Sequence, residues 1–485
     1  MKKFLVAAVL LFGGCATLVP PADPACQLHS QIDAVLSDSI FHNTLPSVKI
    51  VSLNTGQVLY DENSSLLRHP ASNLKLLTSS AALQMLGPDF RFRTCVLADS
   101  TATDSLVPGN VYLKGYGDPD LRVSDLDSLA GIIRSRGIRR INGDIVGDES
   151  YFDNLFWGNG WMWDDEPDPD EMFISALSVN KNCISVTVAP SNLPGNSVSV
   201  SINPPTQYVS VLCTATTAND TSDETLKITR LFKERSNTIT VSGAIPESSA
   251  VVRRRMSVWQ PALFAAQLFK EALVRDSILV LGKAVLGITP SETHELAEHQ
   301  WPIDSVLIHM NKVSDNLSAE NLLKTLGAVR RGPPGSAQNG LYVENEFLAS
   351  LGIDTTTFSV VDGSGVSHYD LLSVDNIIHL LAAIARRPDP FRLIYQSLPI
   401  AGVDGTLESR MVGTLAEGNV RAKTGTINGV SSLSGYVRTR DGELLAFSMM
   451  MENFILPTRY FRLAQDRICE LLAQFSRKPV AVAQH

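Results

Sequence analysis

The chain has 485 residues, 44% of them hydrophobic and 19% charged, with a formal net charge of −9. That length suggests two to four domains and leaves ample apolar material for packed cores. The acidic balance, with a pI near 5.5, argues against nucleic acid as the main partner.

The N-terminus begins Lys2-Lys3, continues with an unbroken apolar run from Phe4 to Phe12, and ends in Gly13-Gly14-Cys15-Ala16. A basic start, a short apolar core and small residues at the cut make residues 1–15 a secretory signal peptide, too short to span a bilayer. Cys15 resembles a bacterial lipoprotein processing site, which would place a lipid anchor on that cysteine. Phe12, three positions earlier, departs from the usual pattern, and ordinary cleavage after Ala16 is the alternative. Either way the mature protein is exported, to the periplasm or cell envelope. The other cysteines are Cys26, Cys95, Cys183, Cys213 and Cys469. No Cys-x-x-Cys pair occurs, so zinc-ribbon and thioredoxin-like readings fail. An exported protein can form disulfides, but no pairing is fixed.

Residues 16–27 read as a Pro- and Ala-rich tether. Leu28 to Phe41 predicts an amphipathic helix. Val48 to Leu53 and Gln57 to Tyr60 predict two strands joined by Asn54-Thr55-Gly56, a hairpin signal. Next comes Ala71-Ser72-Asn73-Leu74-Lys75, opening a helix with apolar residues at Leu74, Leu77, Ala81 and Met85 and a stop at Gly87-Pro88. Ser72 and Lys75 stand one turn apart on the same face. A hydroxyl becomes a good nucleophile when a neutral amine takes its proton, and a helix N-terminus favours an oxyanion. Alone this pattern is weak, because Ser178-Val179-Asn180-Lys181 repeats it.

From Phe90 the texture is mostly β, with a helix over Leu126 to Ser135 and strand again from Ile141 to Val146. Trp157, Trp161 and Trp163 stand beside Asp164, Asp165, Glu166, Asp168, Asp170 and Glu171. With no histidine to complete a metal site, this reads as an anchored acidic surface loop with buried tryptophans. His294-Glu295-Leu296-Ala297-Glu298-His299 imitates a zinc-protease helix, but its histidines are five apart and would not share a face. It reads as a solvated linker.

Helical periodicity returns from Val306 to Leu323. Within it lies Ser314-Asp315-Asn316, whose hydroxyl can relay a proton and whose amide can bind a peptide backbone. Read by itself it is a polar turn between two helices, and Ser-x-Asn also occurs at Ser178 and Ser201. Asp362-Gly363-Ser364-Gly365 predicts a tight loop, Val374 to Arg386 a helix, and Ala401 to Leu407 a loop entering a helix. Lys423-Thr424-Gly425-Thr426 sits at the end of a short strand. It offers a cation, two hydroxyls and a glycine that lets a substrate lie against the strand edge. Strands from Ser434 to Thr439 and from Leu444 to Met451 follow, then a terminal helix from Thr458 to Ser476.

Ser-x-x-Lys, Ser-Asp-Asn and Lys-Thr-Gly in that order form the signature of penicillin-binding proteins and serine β-lactamases. Gly115-Tyr116-Gly117-Asp118-Pro119, Gly160-Trp161-Met162-Trp163-Asp164-Asp165, Ser175 to Asn182, Asn311 to Lys324 and Asp362 to Gly365 narrow this further. Together they resemble the D-alanyl-D-alanine carboxypeptidase/endopeptidase family of low-molecular-mass penicillin-binding proteins, of the penicillin-binding protein 4 type. The resemblance implies an α/β fold: a β-lactamase/transpeptidase-like domain split into residues 28–95 and 300–480. Residues 96–299 would form a mainly β inserted region of two small domains, and roughly 240 residues between Lys75 and Ser314 are too many for a loop. Ser178 to Lys181 would fall in that insertion, away from the catalytic domain.

The resemblance also implies the chemistry. Ser72 attacks a peptidoglycan stem peptide, Lys75 acts as base, and Ser314 relays the proton. Asn316 binds the peptide backbone, and Lys423, Thr424 and Thr426 hold the substrate carboxylate. The N–H groups of Ser72 and Thr426 form the oxyanion hole, and Gly425 belongs to the substrate-binding edge. Burial and the charge of Lys423 would both lower the pKa of Lys75. β-Lactam antibiotics would acylate the same serine, and neither metal nor organic cofactor is needed. A serine β-lactamase would be shorter and would need a glutamate loop after Asn316. A silent envelope-binding protein is at odds with the intact motifs, and a Ser-His-Asp hydrolase lacks its Gly-x-Ser-x-Gly elbow.

Overall fold

The computed structural model describes residues 23–220 and 225–478. The expected signal peptide and Cys15 lie outside the described residues.

A five-stranded antiparallel sheet draws on both ends of the chain. Its strands are β1 (Leu45–Ser52), β2 (Val58–Glu62), β5 (Arg421–Ile427), β6 (Val430–Arg438) and β7 (Leu444–Glu452), in the order β5-β6-β7-β1-β2. The register sets Lys423 opposite Ser434 and Ile50 opposite Phe447. β7 reads Leu-Leu-Ala-Phe-Ser-Met-Met-Met because helices cover both faces of the sheet. Leu445, Phe447 and Met449 face helices α1 (Pro24–Leu36) and α10 (Arg459–Gln474). Ala446 and Met450 face the opposite way, toward α2 (Lys75–Leu86), as the two-residue period of a strand requires. Around α2 pack α5 (Ile303–Val313), α6 (Asn316–Arg331), α7 (Ala337–Ser350), α8 (Val374–Ala385) and α9 (Pro388–Ser397). Every residue of α2 from Lys75 to Leu83 is buried. A helix enclosed on all sides makes a rigid pedestal.

A second five-stranded sheet joins β3 (Arg91–Ala98) to β4 (His294–Pro302), which pair antiparallel, and adds strands at 111–115, 145–148 and 284–286. Helices α3 (Val123–Ser135) and α4 (Pro261–Arg275) share its core. Three smaller sheets occupy residues 183–257. Positions 95 and 300 both fall inside the β3–β4 pair.

Several expectations need correcting. The solvated linker at His294 is strand β4, and Glu298 opposes Cys95 there. It is an edge strand, so its charged side chains reach solvent while its backbone stays paired. The first helix stops at Leu36, and Ser39–Phe41 forms a separate 3₁₀ turn capped by Asp38. The helix expected after Ala401 is a single 3₁₀ turn, Gly405–Leu407. Helix α4 lies in a stretch expected to be mostly β, although nine of its residues are buried. Of the three tryptophans in the acidic loop, Trp161 is buried but Trp163 is 70% exposed. Cys26, Cys95, Cys183, Cys213 and Cys469 are all free thiols.

The largest correction concerns Lys181. Three consecutive residues, Asn180, Lys181 and Asn182, adopt positive φ. The lysine thereby meets the turn between α5 and α6. Its Nζ lies 2.5 Å from Asp120 and 2.8 Å from Asp315, and it donates to Ser318 Oγ (3.1 Å). Burial raises the pKa of Asp315, but Lys181 outweighs it and holds the carboxyl down at about 2. Lys181→Met would strand these carboxylates in a dry site, at a cost of about 3–5 kcal/mol. Urea denaturation at pH 7 measures this, and a loss below about 1 kcal/mol would make the pair equivalent to a solvated surface contact.

Candidate active site

Ser72 sits in a 3₁₀ turn, Ala71–Leu74, that leads directly into α2. Ala71 takes φ 46°. Two glycines let other segments close on this turn. Gly365 has φ +81°, and a Cβ there would collide with the Ala71 carbonyl. A Cβ on Gly425 would collide with Ser432 Oγ and stand 2.9 Å from the Ser72 nitrogen. β5 can therefore lie against the start of the turn only with glycine at 425.

Lys75 has no solvent exposure. Its Nζ donates to Ser72 Oγ (2.8 Å), Asn316 Oδ1 (2.6 Å) and the Ser364 carbonyl (2.7 Å). These three acceptors match the three N–H bonds of an ammonium. Burial lowers its pKa to about 8, against the opposing pull of Asp362, Glu320, Asp315 and Asp170. The repulsion between the two lysines is felt at Lys423 instead. That amine is wholly buried, and burial first, Lys75 second, bring its pKa well below 10.5. Behind Lys75, burial and then the charge of Asp362 push Glu320 up to about 8. Glu344 rises to the same level through burial.

Ser314 ends α5 in the left-handed region, φ 65°. A non-glycine residue there is strained, and the conformation brings its hydroxyl to Lys423, whose Nζ donates to Ser314 Oγ and to the Thr424 carbonyl, both at 2.8 Å. Asp315 caps α6 by accepting from Ser318 N (2.8 Å). The segment is thus a polar turn between helices and also part of the cleft. Asn316 accepts from Lys75 with one end of its amide and donates to the Asp170 carbonyl (2.8 Å) with the other. Lys423 through Thr426 lie inside β5 rather than at its end. Thr424 Oγ1 donates to Thr406 Oγ1 (2.8 Å), and Thr426 Oγ1 accepts from Arg462 Nη2 (3.1 Å).

All eight expected residues meet here. Ser72, Ser314, Asn316, Thr424, Gly425 and Thr426 line a cleft of about 710 Å³, with the two lysine amines buried behind it. Sequence reasoning misses others. Ser364 is legible only as part of a tight loop, and Asp170 and Glu171 only as part of an acidic one. Burial and neighbouring carboxylates raise Asp170 and bring Glu171 to about 8. Trp161 Nε1 donates to Asp362 Oδ2 (2.9 Å), tying that loop to the one supplying Ser364. Lys181 belongs to the repeated Ser-x-x-Lys pattern, expected to lie away from this domain, and Thr406 and Arg462 carry no local motif.

Comparison with known proteins agrees with this geometry. Residues 28–475 match the D-Ala-D-Ala carboxypeptidase 3 (S13) family. A D-alanyl-D-alanine carboxypeptidase of Actinomadura sp. (strain R39) is 36% identical over 465 residues, covering 93% of this chain and 85% of that protein. The D-alanyl-D-alanine carboxypeptidase DacB of Haemophilus influenzae is 29% identical over 406 residues, covering 83% of this chain and 84% of that one. The crystal structure of penicillin binding protein 4 from H. influenzae superposes with a TM-score of 0.81 at 27% identity, over 90% of this chain and 97% of that chain. The same protein has been solved with a bound β-lactam; this chain matches it with a TM-score of 0.76 at 26% identity, over 90% of this chain and 98% of that one. On the extent of these matches, the chain belongs to the D-Ala-D-Ala carboxypeptidase 3 (S13) family.

Proposed function

We propose that this serine-type D-Ala-D-Ala carboxypeptidase acts on peptidoglycan stem peptides through an acyl-enzyme on Ser72. The activity follows from the family. The residue roles rest on one observation above all: the fully buried Lys75 amine lies 2.8 Å from Ser72 Oγ. Once deprotonated, Lys75 keeps two N–H donors for Asn316 and Ser364 and turns its lone pair toward Ser72. Ser72 Oγ then attacks the carbonyl carbon of the penultimate D-alanine while its proton passes to Lys75. The N–H groups of Ser72 and Thr426 receive the oxyanion, and Gly425 lets them converge. Ser314 relays the proton held by Lys75 to the departing D-alanine nitrogen as the C–N bond breaks, which leaves Ser314 as a hydroxyl and Lys75 neutral again. Water attacks the ester in turn and frees Ser72. Asn316 and the Thr424–Thr426 edge hold the peptide, and Lys423 polarises Ser314. A β-lactam enters the same path and stays on Ser72. Endopeptidase cleavage of crosslinks would use the same groups.

We also propose that residues 28–95 and 300–480 form the catalytic domain and that 96–299 are inserted. The shared sheet of β1, β2 and β5–β7 supports this. By the same reading the protein belongs to the cell envelope and carries lipid on Cys15, which the basic start, the Phe4–Phe12 apolar run and Gly13-Gly14-Cys15 support.

Three outcomes test this reading. Labelled penicillin should give a stable adduct on the peptide containing Ser72, read by mass spectrometry, and none with Ser72→Ala. Rapid destruction of penicillin without an adduct would favour a β-lactamase instead. Lys75→Gln should lower the acylation rate constant on the order of 10²- to 10⁴-fold, the range of a positioned general base. The intact mass of the mature protein from a bacterial membrane fraction should show diacylglycerol on Cys15; a chain starting at Thr17 would show ordinary cleavage.

A further inference from the structure

We infer that Arg462 is a specificity-determining residue of this cleft, placed to meet the carboxylate on the residue that leaves. The inference deepens the carboxypeptidase reading above and rests on it.

Arg462 stands on the first turn of α10, lines the cleft, and donates through Nη2 to Thr426 Oγ1 (3.1 Å). Three other cations line the same cleft; two of them are held in ion pairs and the third lies beside the acidic loop. Lys181 is held between Asp120 and Asp315. Arg410 pairs with Asp466 at 2.7 Å and donates to Gln465 Oε1 (3.2 Å) and to the Arg462 carbonyl (3.1 Å). Arg255 lies near Cys183 and Asp170, where its charge opposes the rise in their pKa, on the acidic-loop side of the cleft. Among the described residues Arg462 has no carboxylate partner, and Asp466, on its own helix, is taken by Arg410.

Lys423 is poorly placed to supply this charge. Its amine is buried, and two of its N–H groups are already given to Ser314 Oγ and the Thr424 carbonyl. Two lysines buried side by side also cannot both hold a proton readily. A guanidinium keeps its charge at every physiological pH and offers a planar fork that fits a carboxylate. Burial and the neighbouring Arg410 lower the Arg462 pKa somewhat, as expected of a cation whose counter-charge has yet to arrive. The Thr424–Thr426 edge would seat the carboxylate by hydroxyl donation, and Arg462 would neutralise it.

The test compares two thioesters of one N-acyl-D-alanine, a thioglycolate with a carboxylate on the leaving group and an ethyl thioester without one. Wild type should prefer the thioglycolate in kcat/KM. Arg462→Gln should shrink that preference roughly 10- to 100-fold, the worth of a hydrogen bond to a charged group, mainly through KM. Arg462→Lys should restore part of it. Because Arg462 is exposed on α10, neither substitution opens the core. An unchanged preference, or equal losses on both thioesters, would overturn the inference. Wild-type protein that hydrolyses neither thioester would overturn the carboxypeptidase reading beneath it.

Discussion

An ammonium with no access to water is the constraint around which this molecule is arranged. Burying such a group costs several kcal/mol unless every N–H finds an acceptor. Lys75 finds three, on Ser72, Asn316 and Ser364, the last two from segments separated from it by 241 and 289 residues of chain. Meeting them requires α2 to be enclosed on all sides, α6 to begin beside it, and the Asp362–Gly365 loop to fold back onto the Ser72 turn. Burial that forces this assembly also lowers the lysine's pKa to about 8. A structural necessity and a chemical one thus have the same origin.

Asp362 holds the loop in place. Its carboxylate accepts from the backbone of Ser364, Gly365, Val366 and Ser367, from Ser364 Oγ, and from Trp161 Nε1. Those donors aim the Ser364 carbonyl at Lys75 and anchor the acidic loop at the cleft. From the other side, Lys181 pins Asp315 between the proposed proton relay and the start of α6. The long segment between β3 and β4 therefore helps position the cleft from outside the sheet that carries it.

Much of this arrangement is legible in the amino-acid sequence. The α2 helix shows in its apolar spacing and its Gly87 stop, and the three motifs bring Ser72, Lys75, Ser314, Asn316 and Lys423–Thr426 to attention in order. Such signals are local, which is why they can be read. Lys181 is misjudged because its place depends on three successive positive-φ residues and a partner 134 residues away. The strand at His294 is misread because an edge strand tolerates charge, so its composition looks like linker. Arg462 gives no signal, since a lone arginine on an amphipathic helix resembles any solvated surface residue. Only the fold shows that α10 begins beside Thr426.

Lys75 has to be neutral when it takes the serine proton. The direct measurement is the rate constant for acylation by a chromogenic cephalosporin from pH 6 to pH 10, by stopped flow. Protonated Lys75 cannot accept the serine proton, so the rate should rise tenfold per pH unit at low pH and level off above about 8. A profile that still climbs through pH 10 would mean that Lys75 titrates like a solvated lysine. A flat one would mean that its proton plays no part in the step.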